Sequence, residues 1–187
     1  MADWRANECG IFWSMTKAAK VWDDLDGMGV PGIRGVWCPP EAAGWGMTVV
    51  SIEQGYAGHA AQTMALAAQC MGGAYFTKYV VVVDHDVDPS SLAQVVWAMV
   101  TRSRPSESID ILRETWSTFL DPSLNPPELR PWGSKCLINA CMDFKHIKEF
   151  APRTKLSKPV YERVAAQWNE LGFEGEAPKI DIFDEDG

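Results

Sequence analysis

The run Tyr79–Val83 constrains the fold of this chain more than any other feature, because it holds five apolar or β-branched residues without a charge. Such a run predicts a strand that is buried on both faces of a sheet. Three carboxylates follow at alternate positions from Asp84 to Asp88 and predict a turn at the surface, since three charges cannot share a dry core. Asp88 precedes Pro89 and a helical apolar spacing through Val100, which predicts a helix that begins at Pro89.

Apolar spacing and turn residues predict the remaining elements. The expected helices are 9–28, 59–71 and 159–171, and the expected strands are 33–38, 47–52, 109–112 and 136–140. The first two strands are joined too closely for a helical crossover, so we expect them to pair antiparallel. Right-handed crossovers are expected through 57–71 and 89–103. We therefore expect one α/β domain over 1–187, layered, with a mixed sheet, flanking helices and a C-terminal helix.

The composition argues against several partners and locations. The formal net charge is −8 and no basic stripe with interleaved aromatic residues occurs, so we expect no binding to nucleic acid. No apolar run approaches the roughly 20 residues of a membrane helix, and no secretion leader is visible, so we expect neither a membrane span nor export. Five cysteines without tight pairing are typical of a reduced, cytoplasmic protein.

Motifs of familiar chemistry are missing, so the residues alone give no reaction. The alternate carboxylates resemble half of a calcium loop, but Pro89 and Val95 stand where an EF-hand needs glycine and a bidentate glutamate. The three histidines, His59, His85 and His146, include no pair at zinc-ligand spacing, so we expect no metal site. His59 is interpreted as a capping or buried hydrogen-bonding residue rather than a catalytic one. No phosphate loop, dinucleotide fingerprint or nucleophile elbow occurs.

Four stretches carry a family resemblance when they are taken together. They are GVWCPPEAAGWGMTVVSIEQGYAGHA at 35–60, YVVVVDHDVDPSSLAQVVWAMVTRSRPSESIDI at 79–111, WSTFLDPS at 116–123 and SKCLINA at 134–140. In this combination the chain resembles the C-terminal domain of the UbiD-type decarboxylases over about residues 9–170. The sequence departs from the family at His85 and Asn139, where the family has acidic residues.

The resemblance implies a reversible decarboxylation of an aromatic or α,β-unsaturated acid, and phenolic acids are among the candidates. It also implies prenylated FMN, with a divalent metal and potassium at its phosphate, held by upstream domains that these 187 residues do not contain. We therefore expect a C-terminal domain or subunit that closes the substrate pocket and mediates assembly, and that alone binds no cofactor and is inactive. The alternative is a stand-alone, non-catalytic oligomerisation or interaction module.

Two further expectations concern the pocket and the assembly. In UbiD-like enzymes the loop before Leu-Asp-Pro approaches the substrate, so the resemblance implies that Thr118 and Leu120 line the acid-binding pocket while Phe119 packs inward. The alternative is that Phe119 and Leu120 both cap the core of this domain. The nine tryptophans, together with the terminal helix 159–171 and its tail, indicate a homo-oligomer, most simply a dimer.

Overall fold

The computed structural model describes residues 8–124, 126, 128, 132–151 and 156–179. The chain divides into two compact units, Met1–Lys148 and Glu149–Gly187. The first unit contains the sheet and the helices around it, and the second contains the C-terminal helix. The expected single domain over 1–187 stays a prediction.

The first unit is built on a five-stranded mixed sheet. Its strands are β1 (Ile33–Trp37), β2 (Met47–Ile52), β3 (Tyr79–Asp84), β4 (Ile109–Trp116) and β5 (Trp132–Ala140). They lie in the order β1-β2-β3-β5-β4, with β2, β3 and β5 parallel and the edge strands β1 and β4 antiparallel to their neighbours. The predicted α/β fold with a mixed sheet is confirmed, as is the antiparallel pairing of the first two strands.

Helices cover both faces of this sheet. They are α1 (Glu8–Gly27), α2 (His59–Gln69), α3 (Met71–Ala74), α4 (Leu92–Arg102) and α5 (Pro105–Ser108). The second unit has a helix of its own, α6 (Lys158–Ala166). Val80 and Val82 of β3 point into the layer under α1 and α2, whereas Val81 and Val83 point into the layer under α4. All four valines are fully buried, as the uncharged run predicts, and each contributes about 1.5–3 kcal/mol of transfer free energy. Within the described ranges, no helix is long and apolar enough to cross a membrane.

Helix α4 begins later than the sequence predicts. Its N-cap is Ser91, whose hydroxyl accepts the Gln94 N–H at 3.4 Å, and its first residue is Leu92 rather than Pro89. Asp88 instead accepts the Ser90 N–H at 2.8 Å and closes a separate turn before the helix. The prediction of a start at Pro89 was wrong because a local aspartate turn competes with a helix cap for the same carboxylate.

The connection after α4 also differs from the prediction. Helix α2 joins the parallel neighbours β2 and β3, but α4 leads through α5 into β4, which is antiparallel to β5. A direct crossover through α4 between parallel strands is therefore not formed. The predicted strands 109–112 and 136–140 are longer than expected, and their extension shortens the long loop between them. The predicted helix 159–171 ends at Ala166.

Candidate functional site

The predicted pocket residues lie in a hydrogen-bonded turn between β4 and β5, the Trp116 loop (residues 116–123). The Asp121 N–H donates to the Thr118 carbonyl at 3.1 Å, and the Leu120 N–H donates to the Thr118 hydroxyl at 3.2 Å. The Ser123 N–H donates to Asp121 Oδ1 at 3.0 Å. Threonine and aspartate side chains form such turns readily because their oxygens reach backbone N–H groups two residues ahead. The sequence therefore fixes the backbone of this loop locally.

Two side chains from the segment before β3 anchor the Trp116 loop. The Tyr75 and Thr118 hydroxyls share a hydrogen bond of 2.6 Å, and Lys78 Nζ donates to Asp121 Oδ1 at 2.8 Å. Burial acts to raise the pKa of Asp121, but hydrogen bonds from Lys78 and Ser123 outweigh it and hold that pKa below its ordinary value. Asp121 is thus a buried carboxylate that ties the loop to the sheet.

The side chains between these anchors point to solvent. Leu120 is 69% exposed and Phe119 is 67% exposed, while Thr118 is buried. The prediction that Phe119 packs inward was wrong. The turn directs the Thr118 hydroxyl and the Asp121 carboxylate inward, and its apolar side chains therefore point outward. The same exposures do not fit the alternative in which Phe119 and Leu120 cap the core of this unit. Trp116, the first residue of the loop and the last of β4, pairs with Trp132 of β5, and both side chains are exposed.

A second polar cluster lies at the carboxyl ends of the parallel strands. Asp84, at the end of β3, accepts hydrogen bonds from Gln54 Nε2 and from the Met142 N–H, both at 2.7 Å. Arg102, from the end of α4, donates to Asp84 Oδ2 at 3.0 Å and to the two oxygens of Asp86 at 2.8 and 2.6 Å. Its guanidinium also lies 5.1 Å from the centre of the Trp97 ring.

This cluster corrects the expectation that all three turn carboxylates are solvated. Asp84 is buried, whereas Asp86 and Asp88 are not. Burial raises the pKa of the Asp84 carboxyl, and the Met142 N–H, the Gln54 amide and the Arg102 charge oppose that rise. Both Asp84 oxygens already accept hydrogen bonds, so the cluster is suited to joining strand ends rather than to binding a ligand. In the described part of the chain, no three His, Cys, Asp or Glu side chains converge as metal ligands.

His59 has the structural role that the sequence suggests. It is the first residue of α2 and is buried, and its Nδ1 accepts the Gly55 N–H at 3.2 Å. Its ring stacks on Tyr56 with 4.5 Å between centroids. Burial lowers the pKa of His59, which favours the neutral ring that this hydrogen bond requires.

The sequence did not identify two lysines that lie inside the first unit. Lys135 of β5 is 1% exposed, and Lys17 of α1 is partly buried. Burial lowers the pKa of each to about 8. The signal for Lys135 was the strand alternation of SKCLINA, which places it on the same face as the buried Leu137. Residue type alone predicts exposure, since lysine is rarely buried.

Comparison with known proteins supports a single family. Residues 10–140 match the 3-octaprenyl-4-hydroxybenzoate carboxy-lyase C-terminal domain, UbiD_C. Among solved structures, the vanillic acid decarboxylase of Sedimentibacter hydroxybenzoicus in its closed form is 28% identical, with a TM-score of 0.67 over 89% of this chain and 34% of that one.

Two further structures share the fold. The UbiD-class enzyme HmfF from Pelotomaculum thermopropionicum, in complex with FMN, is 24% identical, with a TM-score of 0.68 over 76% of this chain and 30% of that one. The 3,4-dihydroxybenzoic acid decarboxylase of Klebsiella pneumoniae is 20% identical, with a TM-score of 0.69 over 82% of this chain and 33% of that one. This chain therefore spans about a third of the length of the structures it resembles.

Proposed function

The chain belongs to the family of 3-octaprenyl-4-hydroxybenzoate carboxy-lyase C-terminal domains, and on this basis we propose that it is the C-terminal domain or subunit of a UbiD-like carboxy-lyase. The larger enzyme decarboxylates an aromatic or α,β-unsaturated acid reversibly, and this chain closes the substrate pocket and mediates assembly. The partners are upstream flavin-binding domains or a flavin-binding subunit, together with further copies of the chain. Support comes from the similar structures, which are aromatic acid decarboxylases or UbiD-class enzymes about three times as long as the matched region.

The exposed apolar pair on the anchored Trp116 loop carries this proposal. Leu120 and Phe119 face solvent, while Thr118 and Asp121 hold the turn beneath them. Covering apolar side chains that are held rigidly in water lowers the free energy of the system. Fixed loops on a rigid scaffold commonly form binding surfaces. A ligand pocket needs such apolar walls at a defined position. The pair is therefore suited to covering an aromatic acid or the face of a flavin-binding domain.

The roles of the two predicted pocket residues differ. Leu120 supplies an apolar wall, because its side chain is free of the core. Thr118 acts from behind, since its buried hydroxyl holds the Leu120 N–H and the Tyr75 hydroxyl. Prenylated FMN, with its divalent metal and potassium, supplies the decarboxylation chemistry when it is bound in the whole enzyme. Among the described residues, no group of three or more His, Cys, Asp or Glu side chains could hold that metal.

The test is Leu120→Ala in the complex purified through a tag on this chain. Relative kcat/KM is measured for vanillic acid and 3,4-dihydroxybenzoic acid, the acids named for two of the similar enzymes. A pocket wall shortened by a side chain changes the preference between acids by about tenfold or more. The melting temperature changes little, because truncation of an exposed side chain has a small effect on stability.

Ile111→Ala is the matched control, because Ile111 is an exposed apolar residue of β4 outside the Trp116 loop. This control leaves the preference unchanged. A large fall in melting temperature for Leu120→Ala, with unchanged acid preference, would assign Leu120 to packing and overturn the pocket role.

A stand-alone interaction module remains the second candidate because of a different observation. Helix α4 exposes Val96 and Val100 one turn apart, and α1 exposes Phe12 and Met15. Exposed apolar stripes of this kind mark contact surfaces. The two functions are separated by the visible spectrum of the tagged complex: a flavin-bearing polypeptide in it supports the enzyme, and a stable complex that lacks flavin and decarboxylase activity supports the module.

A further inference from the structure

Lys135 is fully buried and its ammonium contacts backbone rather than a carboxylate. Its Nζ donates to the carbonyls of Ala74 and Thr77, both at 2.7 Å. A charged group without an opposite charge is costly to bury, and the nearby charge of Lys17 adds to that cost. Leucine or methionine would fill the same position in the sheet at no such cost. The lysine therefore needs an explanation, and the two carbonyls that it holds provide one.

These carbonyls bracket a segment of unusual backbone conformation. The clamped segment (residues 74–78) leads from α3 into β3, and Phe76 within it has a φ of 67°. A left-handed conformation at a residue other than glycine persists only where its surroundings hold it. Lys17 Nζ holds the intervening carbonyl of Tyr75 at 2.9 Å. Two lysines from different elements thus fix three carbonyls in four consecutive residues.

The clamped segment in turn provides the described anchors of the Trp116 loop. Tyr75 shares its hydroxyl hydrogen bond with Thr118, and its ring lies 5.1 Å from that of Trp116. Lys78 Nζ bonds both Asp121 Oδ1 and Ser123 Oγ, at 2.8 and 2.7 Å. Any movement of the clamped segment therefore moves the Thr118 and Asp121 ends of the loop together.

We propose that Lys135 is a positioning residue for the Trp116 loop, acting through the carbonyls of Ala74 and Thr77 and the side chains of Tyr75 and Lys78. Among the described residues, the hydrogen bonds of its ammonium go to the clamped segment and not to the loop. An effect of Lys135 on the choice of acid rests on the proposed function, because the position of the loop affects substrate preference only if the loop lines the pocket. Lys17 supports the same segment from α1.

The experiment compares Lys135→Met with Leu137→Ala in the full chain. Methionine keeps the length and removes the donors, whereas Leu137→Ala makes a cavity on the same strand and leaves the clamped carbonyls bonded. Hydrogen exchange is followed in peptides over 74–78, over 116–123 and over the remaining chain. For Lys135→Met we expect exchange in the first two peptides to rise by about tenfold or more beyond the change elsewhere. Leu137→Ala raises exchange without this local excess.

A rise that is equally distributed in both variants would assign Lys135 to general stability and overturn the proposal. Tyr75→Phe gives an independent test if Lys135→Met does not fold, since it removes one hydroxyl and keeps the ring. Greater exchange confined to 116–123 then supports the link, and unchanged exchange there refutes it.

The tagged complex separates this inference from the proposed function. A local rise in exchange with a changed acid preference supports both. A local rise with unchanged preference supports the positioning role and contradicts the pocket assignment alone.

Discussion

Replacing Arg102 with methionine tests the ion-pair cluster at the carboxyl ends of the strands. The Arg102 and Asp84 side chains are each 2% exposed, so the substitution leaves a buried carboxylate with only the Gln54 and Met142 donors. Removing one partner of a buried pair costs about 3–5 kcal/mol. Arg102 Nε is itself buried without a hydrogen-bond partner among the described residues, and its removal returns about 1 kcal/mol.

The free energy of unfolding is therefore expected to fall by about 2–4 kcal/mol in Arg102→Met, as measured by urea denaturation at neutral pH. Arg104→Met is the matched control, because Arg104 pairs with Glu107, three residues further on, and the two side chains are 77% and 66% exposed. An exposed pair contributes about 0–1 kcal/mol. Asp84→Asn combined with Arg102→Met should be more stable than Arg102→Met alone, since it removes the stranded charge.

The effect of Arg102→Met also depends on pH with a definite sign. Burial already raises the pKa of Asp84, and loss of the arginine charge raises it further. Between the unfolded pKa and this raised value, the folded variant binds a proton that the unfolded chain has released, so its stability falls as pH rises. The cost of the substitution is thus smaller at pH 5 than at pH 7.5. Equal losses for the two arginine variants, or a cost independent of pH, would refute this view of the cluster.

Three further outcomes are expected. The isolated chain, expressed beside a prenyl-FMN synthase, shows no visible flavin band after gel filtration, and a stoichiometric band would contradict this. Light scattering at micromolar concentration shows a homo-oligomer, and removal of residues 158–187 weakens assembly more than it weakens secondary structure; a monomer in the intact chain would refute it. Because burial lowers the pKa of Lys135 to about 8 from an ordinary 10.5, the unfolded chain binds more protons between these values, so urea titrations should show wild type gaining stability over Lys135→Met from pH 8 to pH 10. The titratable groups that act on Lys135 are Lys17 and Cys70. If the stability difference between wild type and Lys135→Met does not grow with pH, burial does not lower the pKa of Lys135.

Local patterns predicted the sheet well because short apolar runs between turn residues are recognisable as strands in the sequence. The uncharged run before Asp84 is buried on both faces as expected, and β2 has the predicted bounds. Helix α4 and the strands β4 and β5 were predicted to exist, but their ends depend on turn hydrogen bonds and on pairing between distant segments. Residue preferences do not reveal such pairings.

The candidate site was harder to predict for the same reason. Burial of Asp84 depends on an arginine 18 residues away, and burial of Lys135 depends on carbonyls about 60 residues away. Aspartate and lysine, each considered alone, predict exposure to solvent. Phe119 points outward because the hydrogen bonds of Thr118 and Asp121 close the turn around it. The spacing of apolar residues in the sequence does not predict this direction.

Decarboxylation by the flavin-bearing polypeptide that the tagged chain captures, assayed apart from the chain and again after the chain is added back, tests the central claim most directly. The flavin-bearing polypeptide is loaded with prenylated FMN, and release of CO2 from a panel of aromatic acids is measured before and after the chain is added back. We expect activity that depends on the chain, because pocket closure excludes water and completes the substrate site. A stable complex in which addition of the chain leaves the rate of CO2 release unchanged would contradict the proposed function.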